Sequence, residues 1–219
     1  MGVELMAAAK SPAFQRLVIH DADWAAYSRL LRVFAERPSY RLTFDRGVLE
    51  IMTPLPLHER EAYLLGRFID VITEEKDVAV VAGRSATFRR RSHRRGLEPD
   101  NSYWIANAAR VVGLRRIDLR RDPPPDLAIE VDVTRSSLDR MAIYGSLRVS
   151  EVWRLDSTDK LTFNALQPDG TYSVIDRSLN FPEVSPRDLL RFLSLAGQSD
   201  DTAIVVEFRK WFRSTRSRP

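Results

Sequence analysis

The sequence predicts a single mixed α/β (α+β) domain, a mixed central sheet flanked by helices, and three observations lead there. Helical and extended segments interleave along the chain instead of separating into blocks. A run near the middle, PPPDLAIEVDVTRSSLD from Pro123 to Asp139, alternates as a strand does and then leads into a helix. With 219 residues, 44% hydrophobic and 29% charged, the chain can build one sizeable core and calls for no second domain.

Taken in order, residues 1–13 read as a flexible tail, 14–213 as the domain and 214–219 as a second tail. Phe14 to Ile19 is a short extended run. Asp21 or Asp23 caps a helix to about Arg37, with Trp24, Tyr27, Leu30, Leu31 and Phe34 on its buried stripe and Pro38 closing it. RLTFDRGVLEIM is a hairpin: Leu42 and Phe44 alternate with Arg41 and Thr43, and Asp45-Arg46-Gly47 supplies the turn. Leu57, Leu64, Leu65, Phe68 and Ile72 repeat at helical spacing in the next element, which ends at Asp77. Its first turn carries His58, Glu59 and Glu61; the two glutamates cannot share a face, and acids there suit the helix dipole.

Val78 to Arg90 reads as one strand, bulged at Gly83, followed by a basic turn and an aromatic strand through Tyr103, Trp104 and Ile105. A short helix spans Asn107 to Val112 and stops at Gly113. After the central strand, Ser136 or Ser137 caps a helix containing Asp139, Arg140, Ile143 and Tyr144. VSEVWRLD is a strand, LTFNALQPDGTYSVID a hairpin turning at Asp169-Gly170, and helices over Leu189–Leu195 and Thr202–Arg213 complete the domain.

The chemistry concentrates on the central strand. Alternation sends Leu127, Ile129, Val131 and Val133 to one face and Asp126, Ala128, Glu130 and Asp132 to the other. Same-side neighbours stand about 6 to 7 Å apart, so three carboxylates on one ridge resist full ionisation. A divalent metal or an arginine from elsewhere would relieve that crowding. Pro99-Asp100 enters the preceding strand, and two adjacent strands would set Asp100 beside Glu130, enough for Mg²⁺ when water and a phosphate supply the remaining ligands.

The formal charge is +4, and the cations are overwhelmingly arginine, with lysine only at Lys10, Lys76, Lys160 and Lys210. Arg89, Arg90, Arg91, His93, Arg94 and Arg95 precede Asp100; Arg115, Arg116, Arg120 and Arg121 precede Asp126. Cations bracketing an acidic site suit a polyanionic substrate, and solvated loop tips are the plainer alternative. The absence of cysteine excludes disulfides, thiolate catalysis and Cys-based zinc sites. No apolar run approaches the roughly 18 residues of a membrane span, and the N-terminus has no signal pattern; a cytoplasmic location is expected.

The ordered set PLPLHE, GLEPDNSYWIANAARV, PPPDLAIEVDVTRSSLDRMAIY and SEVWRLD resembles the Uma-two family of restriction-endonuclease-like proteins, within the PD-(D/E)XK nuclease superfamily, over about residues 15 to 212. The resemblance implies a restriction-endonuclease-like mixed sheet and a metal-dependent endonuclease acting on DNA, with Mg²⁺ or Mn²⁺ held by Asp100 and Glu130 and by the backbone carbonyl of Val131. It implies further roles for Asp126 or Asp132 in completing or orienting the site, for His58 in orienting the metal water or pairing with an acid, and for Arg140 in charge stabilisation. Arg90, Arg94, Arg95, Arg121 and Arg135 would bind substrate, and cutting two strands implies a homodimer. Two departures stand out: Asp132 occupies the usual lysine position, with Arg140 as the cation from the next helix, and Asn101 replaces an acid. Arginine cannot shed a proton as a buried lysine can, so a second class is a nuclease-fold protein that binds nucleic acid without cutting it.

Overall fold

Two antiparallel-rich sheets share the domain in the computed structural model, which describes residues 15–37, 39–53, 56–132 and 138–216. The N-terminal tail expected over 1–13, the capping residues Ser136 and Ser137, Arg135 and Val133 lie outside the described residues. So does the side chain of His58.

The first sheet begins with β1 (Gln15–Ile19), continues after helix α1 (Trp24–Val33) with the hairpin β2 (Arg41–Asp45) and β3 (Val48–Thr53), and ends with β5 (Phe88–Arg90) and β6 (Arg95–Leu97) in the order β1-β3-β2-β6-β5. Asp23 caps α1, its side chain accepting from Ala26 N–H at 2.6 Å. The hairpin turns where expected: Arg46 and Gly47 both have positive φ, 47° and 114°, as a two-residue turn that follows strand twist requires. Alternation along β2 and β3 gives the sheet two unlike faces. Leu42, Phe44, Leu49 and Ile51 pack under Tyr27 of α1, while Arg41, Thr43 and Glu50, all buried, lie on the opposite face.

The second sheet has the order β11-β10-β9-β8-β7-β4, built from β4 (Val81–Ala82), β7 (Asn101–Trp104), β8 (Leu127–Asp132), β9 (Glu151–Asp156), β10 (Leu161–Leu166) and β11 (Tyr172–Ile175). Among the described strands only β8 and β9 run parallel, and helix α4 (Arg140–Leu147) lies in the crossover between them. Helices α2 (Pro56–Lys76), α5 (Pro186–Leu193) and α6 (Asp201–Arg216) bury Leu65, Phe68, Phe192 and Phe208 against Leu127, Ile129 and Val131. On the other side Ala128 packs with Ile143, Tyr144 and Leu147 of α4 and with Phe88 and Leu97 of the first sheet. The short helix α3 (Ala108–Val111) follows β7.

Two sequence expectations change. Val78 to Arg90 is not one strand: Gly83 donates to Ser102 O at 2.8 Å, Arg84 turns with φ 48°, and the chain leaves the second sheet at β4 to join the first at β5. The cap of α4 is Asp139, accepting from Ala142 N–H at 3.0 Å. Helix α4 covers the acidic ridge of β8, where every residue from Leu127 to Val131 is buried and Asp132 is half-buried.

Candidate active site

The centre of the molecule is polar where β7 meets β8. Their antiparallel register pairs Asn101 with Ile129, so the position before it, Asp100, stands opposite Glu130. Two hydrogen bonds hold this placement: Asp100 N–H donates to Ile129 O at 3.2 Å, and Val131 N–H donates to Asp100 Oδ2 at 2.7 Å. A carboxylate thus takes the place of a ladder carbonyl.

Glu130 is 3% exposed and Arg140, from the first turn of α4, 8%. Arg140 Nη2 donates to Glu130 Oε2 at 2.8 Å and to the carbonyl of Glu98 at 2.9 Å, and Nη1 donates to Thr43 Oγ1 at 2.5 Å. Tyr144, one turn along α4, donates its hydroxyl to the same Oε2 at 2.6 Å. Arg140 Nε lies 2.5 Å from Oε1 but off its N–H axis and makes no hydrogen bond, so Oε1 accepts none among the described residues. Asp100 Oδ1 is likewise without a hydrogen bond there.

Burial pushes the Asp100 carboxyl up to about 7, and the Glu130 charge adds to the rise; the Val131 N–H, Arg140 and Arg41 act against it. For Arg140 burial, the largest single effect, favours the neutral form, but Glu130, Tyr144 and Asp100 together outweigh it and the guanidinium is held more firmly charged than usual. Burial, then the Glu130 charge, raises Tyr144 well above the ordinary phenol, leaving it a donor. A cleft of about 300 Å³ reaches Glu130 and Arg140 from the side of Asp132, Asp139 and Arg154.

Among the described residues no group of three or more acidic or histidine side chains is placed to hold a metal. The donor set fits a hydrated hard cation through carboxylates on facing positions of adjacent strands: Asp100 Oδ1 makes no hydrogen bond among the described residues, and Glu130 Oε1 touches Arg140 Nε at 2.5 Å, a contact an ion would have to replace; ions such as Mg²⁺ take one or two carboxylates with water and phosphate for the rest.

A family model described as "Putative restriction endonuclease", Uma2, matches residues 24–196, most of the chain. The chain belongs to the Uma2 family. A crystal structure described as that of a "putative nuclease" of DUF820 from Anabaena variabilis aligns with TM-score 0.49 and 17% identity, over 74% of this chain and 98% of its own. No curated protein sequence matches.

Within the Uma2 fold, the structure brings together Asp100, Glu130 and Arg140, keeps Asp132 on the cleft that reaches them, and sets Asp126, Arg90, Arg94, Arg95 and Arg121 apart. Asp132 pairs with Arg154 at 2.9 Å, at the mouth of the cleft. Asp126 is spent on the turn after β7, accepting from Ile105 N–H, Asn107 N–H and Asn107 Nδ2 at 2.7, 3.0 and 2.7 Å; this corrects its expected place in the site. Asn101 ties β7 to α2 through Ala62 O at 2.8 Å. Arg95 bridges Asp45 and the carbonyl of Ala142 at 2.8 and 2.9 Å, fastening β6 to β2 and α4. Arg90 donates to Leu119 O at 2.9 Å, and Arg94 and Arg121 are exposed. No helix among the described residues is long and apolar enough to cross a membrane.

Thr43, Glu98, Tyr144 and Arg41 join the site without having been expected there. Tyr144 was visible in principle, since it follows Arg140 by four residues on one helix face. Thr43 and Arg41 lie on the polar side of a strand whose alternation was plain, but nothing local says which sheet that side meets.

Proposed function

We propose that the protein is a divalent-metal-dependent endonuclease that hydrolyses phosphodiester bonds of DNA. The observation that carries this is the placement of Asp100 opposite Glu130 in a member of the Uma2 family. Asp100 Oδ1 and Glu130 Oε1 would hold Mg²⁺ or Mn²⁺, which supplies polarisation of the scissile phosphate and a more acidic bound water. Val131 N–H fixes the Asp100 carboxylate, and Tyr144 and Arg140 Nη2 fix Glu130 through Oε2, leaving Oε1 against Arg140 Nε. Arg140 stays charged throughout, so its part is to position Glu130 and to lower the cost of gathering phosphate charge beside two carboxylates. Arg154, 41% exposed beside Asp132, stands where a phosphate would enter the cleft. Cutting both strands calls for two such sites, hence a homodimer.

A second reading is favoured by one observation: the guanidinium of Arg140 sits against both oxygens of Glu130, where it competes with a metal. That reading is a protein that binds nucleic acid and has lost turnover. Plasmid cleavage in Mg²⁺ and Mn²⁺ separates the two. Cleavage by the natural chain, lost by about 100-fold or more in Asp100→Asn and Glu130→Gln, supports the enzyme; Asn retains the oxygen that Val131 needs. Undiminished cutting by Asp100→Asn removes the carboxylate pair from the mechanism, and cutting that appears only in Arg140→Lys establishes the second reading.

A further inference from the structure

The two arginine clusters of the sequence do not flank the carboxylates. Arg89, Arg90 and Arg91 meet Arg115, Arg116 and Arg120 around one cleft of about 720 Å³, between α1, β5 and the loop after α3, and neither Asp100, Glu130, Asp132 nor Arg140 lines it. Arg120 is neutralised by Asp118, the one acid among the lining residues. Arg32, Arg91, Arg115 and Arg116 are exposed and have no acidic partner among the described residues. Four like charges around a concave surface concentrate a positive field with no internal anion to answer it.

The floor of the cleft is apolar. Trp24 lines it while remaining partly exposed, and its orientation is fixed by edge contacts with Tyr27 and Phe44 at 5.3 and 5.7 Å. Behind it Trp104 and Leu119 are buried. An indole held within a ring of cations on α1, the turn after β5 and the loop after α3 offers a stacking surface for a base and several places for phosphate. A duplex keeps its base faces covered, and one nucleotide carries phosphate at one end only, so cations on three elements suit consecutive phosphates of an unpaired strand.

We propose that this cleft binds a single-stranded segment of nucleic acid, stacking a base on Trp24 and pairing its phosphates with Arg32, Arg91, Arg115 and Arg116. The site is separate from the carboxylate pair and does not depend on the endonuclease reading.

The test is binding of a fluorescein-labelled twelve-residue oligothymidylate to the full chain in EDTA, which removes cleavage from the measurement. Saturable binding is expected, weakened at least about 30-fold by Arg115→Glu with Arg116→Glu, with a log–log salt slope shallower by about 1.4. Trp24→Leu should lose about 5- to 100-fold, and Trp24→Phe should recover part of the loss, which a merely unfolded variant would not. Equal binding by the doubly substituted chain overturns the proposal. So does equally tight binding of the matching duplex, or displacement at the same concentration by thymidine monophosphate or by a glutamate-rich peptide. Cleavage failing while oligonucleotide binds would overturn the endonuclease reading alone.

Discussion

Arg140 closes on Glu130 inside the protein, with Nη2 donating to Oε2 at 2.8 Å and Nε standing 2.5 Å from Oε1. The same guanidinium reaches Thr43 on β2 and the Glu98 carbonyl after β6, so one side chain ties the first sheet to the acid of the second. A fork of fixed donors can make that set of contacts; an ammonium cannot.

Removing this cation should therefore be felt first as instability. Arg140→Ala leaves the Glu130 charge buried and unpaired, and a loss of about 3–5 kcal/mol is expected. Urea unfolding checks it. Pairing Arg140→Ala with Glu130→Gln should restore part of the loss, because the stranded charge is then gone; no recovery would mean that the damage lies in packing.

Tyr144 tests the other support of Glu130. Tyr144→Phe keeps the buried ring and deletes only the 2.6 Å donor, so a loss of about 1–3 kcal/mol is expected by chemical unfolding. In a double-mutant cycle with Glu130→Gln the two losses should fall short of additive, since both act on one oxygen.

Glu151 is a fully buried carboxylate used by the scaffold. Oε1 accepts from Trp153 Nε1 at 2.7 Å, and Oε2 from Ser178 Oγ, the N–H groups of Leu179 and Asn180, and Asn180 Nδ2 at 2.8 Å. Glu151→Ala strands these donors together, and a loss of about 3 kcal/mol or more is expected by thermal unfolding. Glu151→Gln, which keeps an acceptor oxygen, should lose less.

The seam between α2 and α6 carries a pH dependence of known sign. Hydrogen bonds from Arg213 and then Arg209 hold Glu75 down from 4.5 to about 2. The folded state therefore prefers the ionised form, and the contribution is complete above 4.5 and lost as pH falls toward about 2. Glu75→Gln should melt below the natural chain near neutrality, and the two melting temperatures should converge as pH approaches 2. A constant difference across that window would disprove the pairing.

Much of this architecture could be read from residue order. Asp45-Arg46-Gly47 between alternating strands announced the β2–β3 hairpin, and the spacing of Leu64, Leu65, Phe68 and Ile72 announced α2. The acids at 100 and 130 were legible because each opens or interrupts an apolar run. What escaped is contact between distant segments. Nothing local to Val78–Arg90 says that Gly83 and Arg84 will pass the chain from one sheet to the other. Glu151 looks like any strand-edge acid until Ser178 and Asn180 fold over it. The arginines near positions 90 and 116 were noticed, but their meeting point depends on α1, which carries Trp24 and is far from either in sequence.

The Val131 N–H bond to Asp100 Oδ2 also makes the β7–β8 ladder a registration mark. Strand side chains alternate with period two, so a slip by one residue would turn Asp100 away from Glu130 and bring Pro99 or Asn101 to its place. The carboxylate that would hold the metal is thus also the latch that keeps its partner aligned, and a change there that removes its acceptor oxygen acts on alignment and ligation at once.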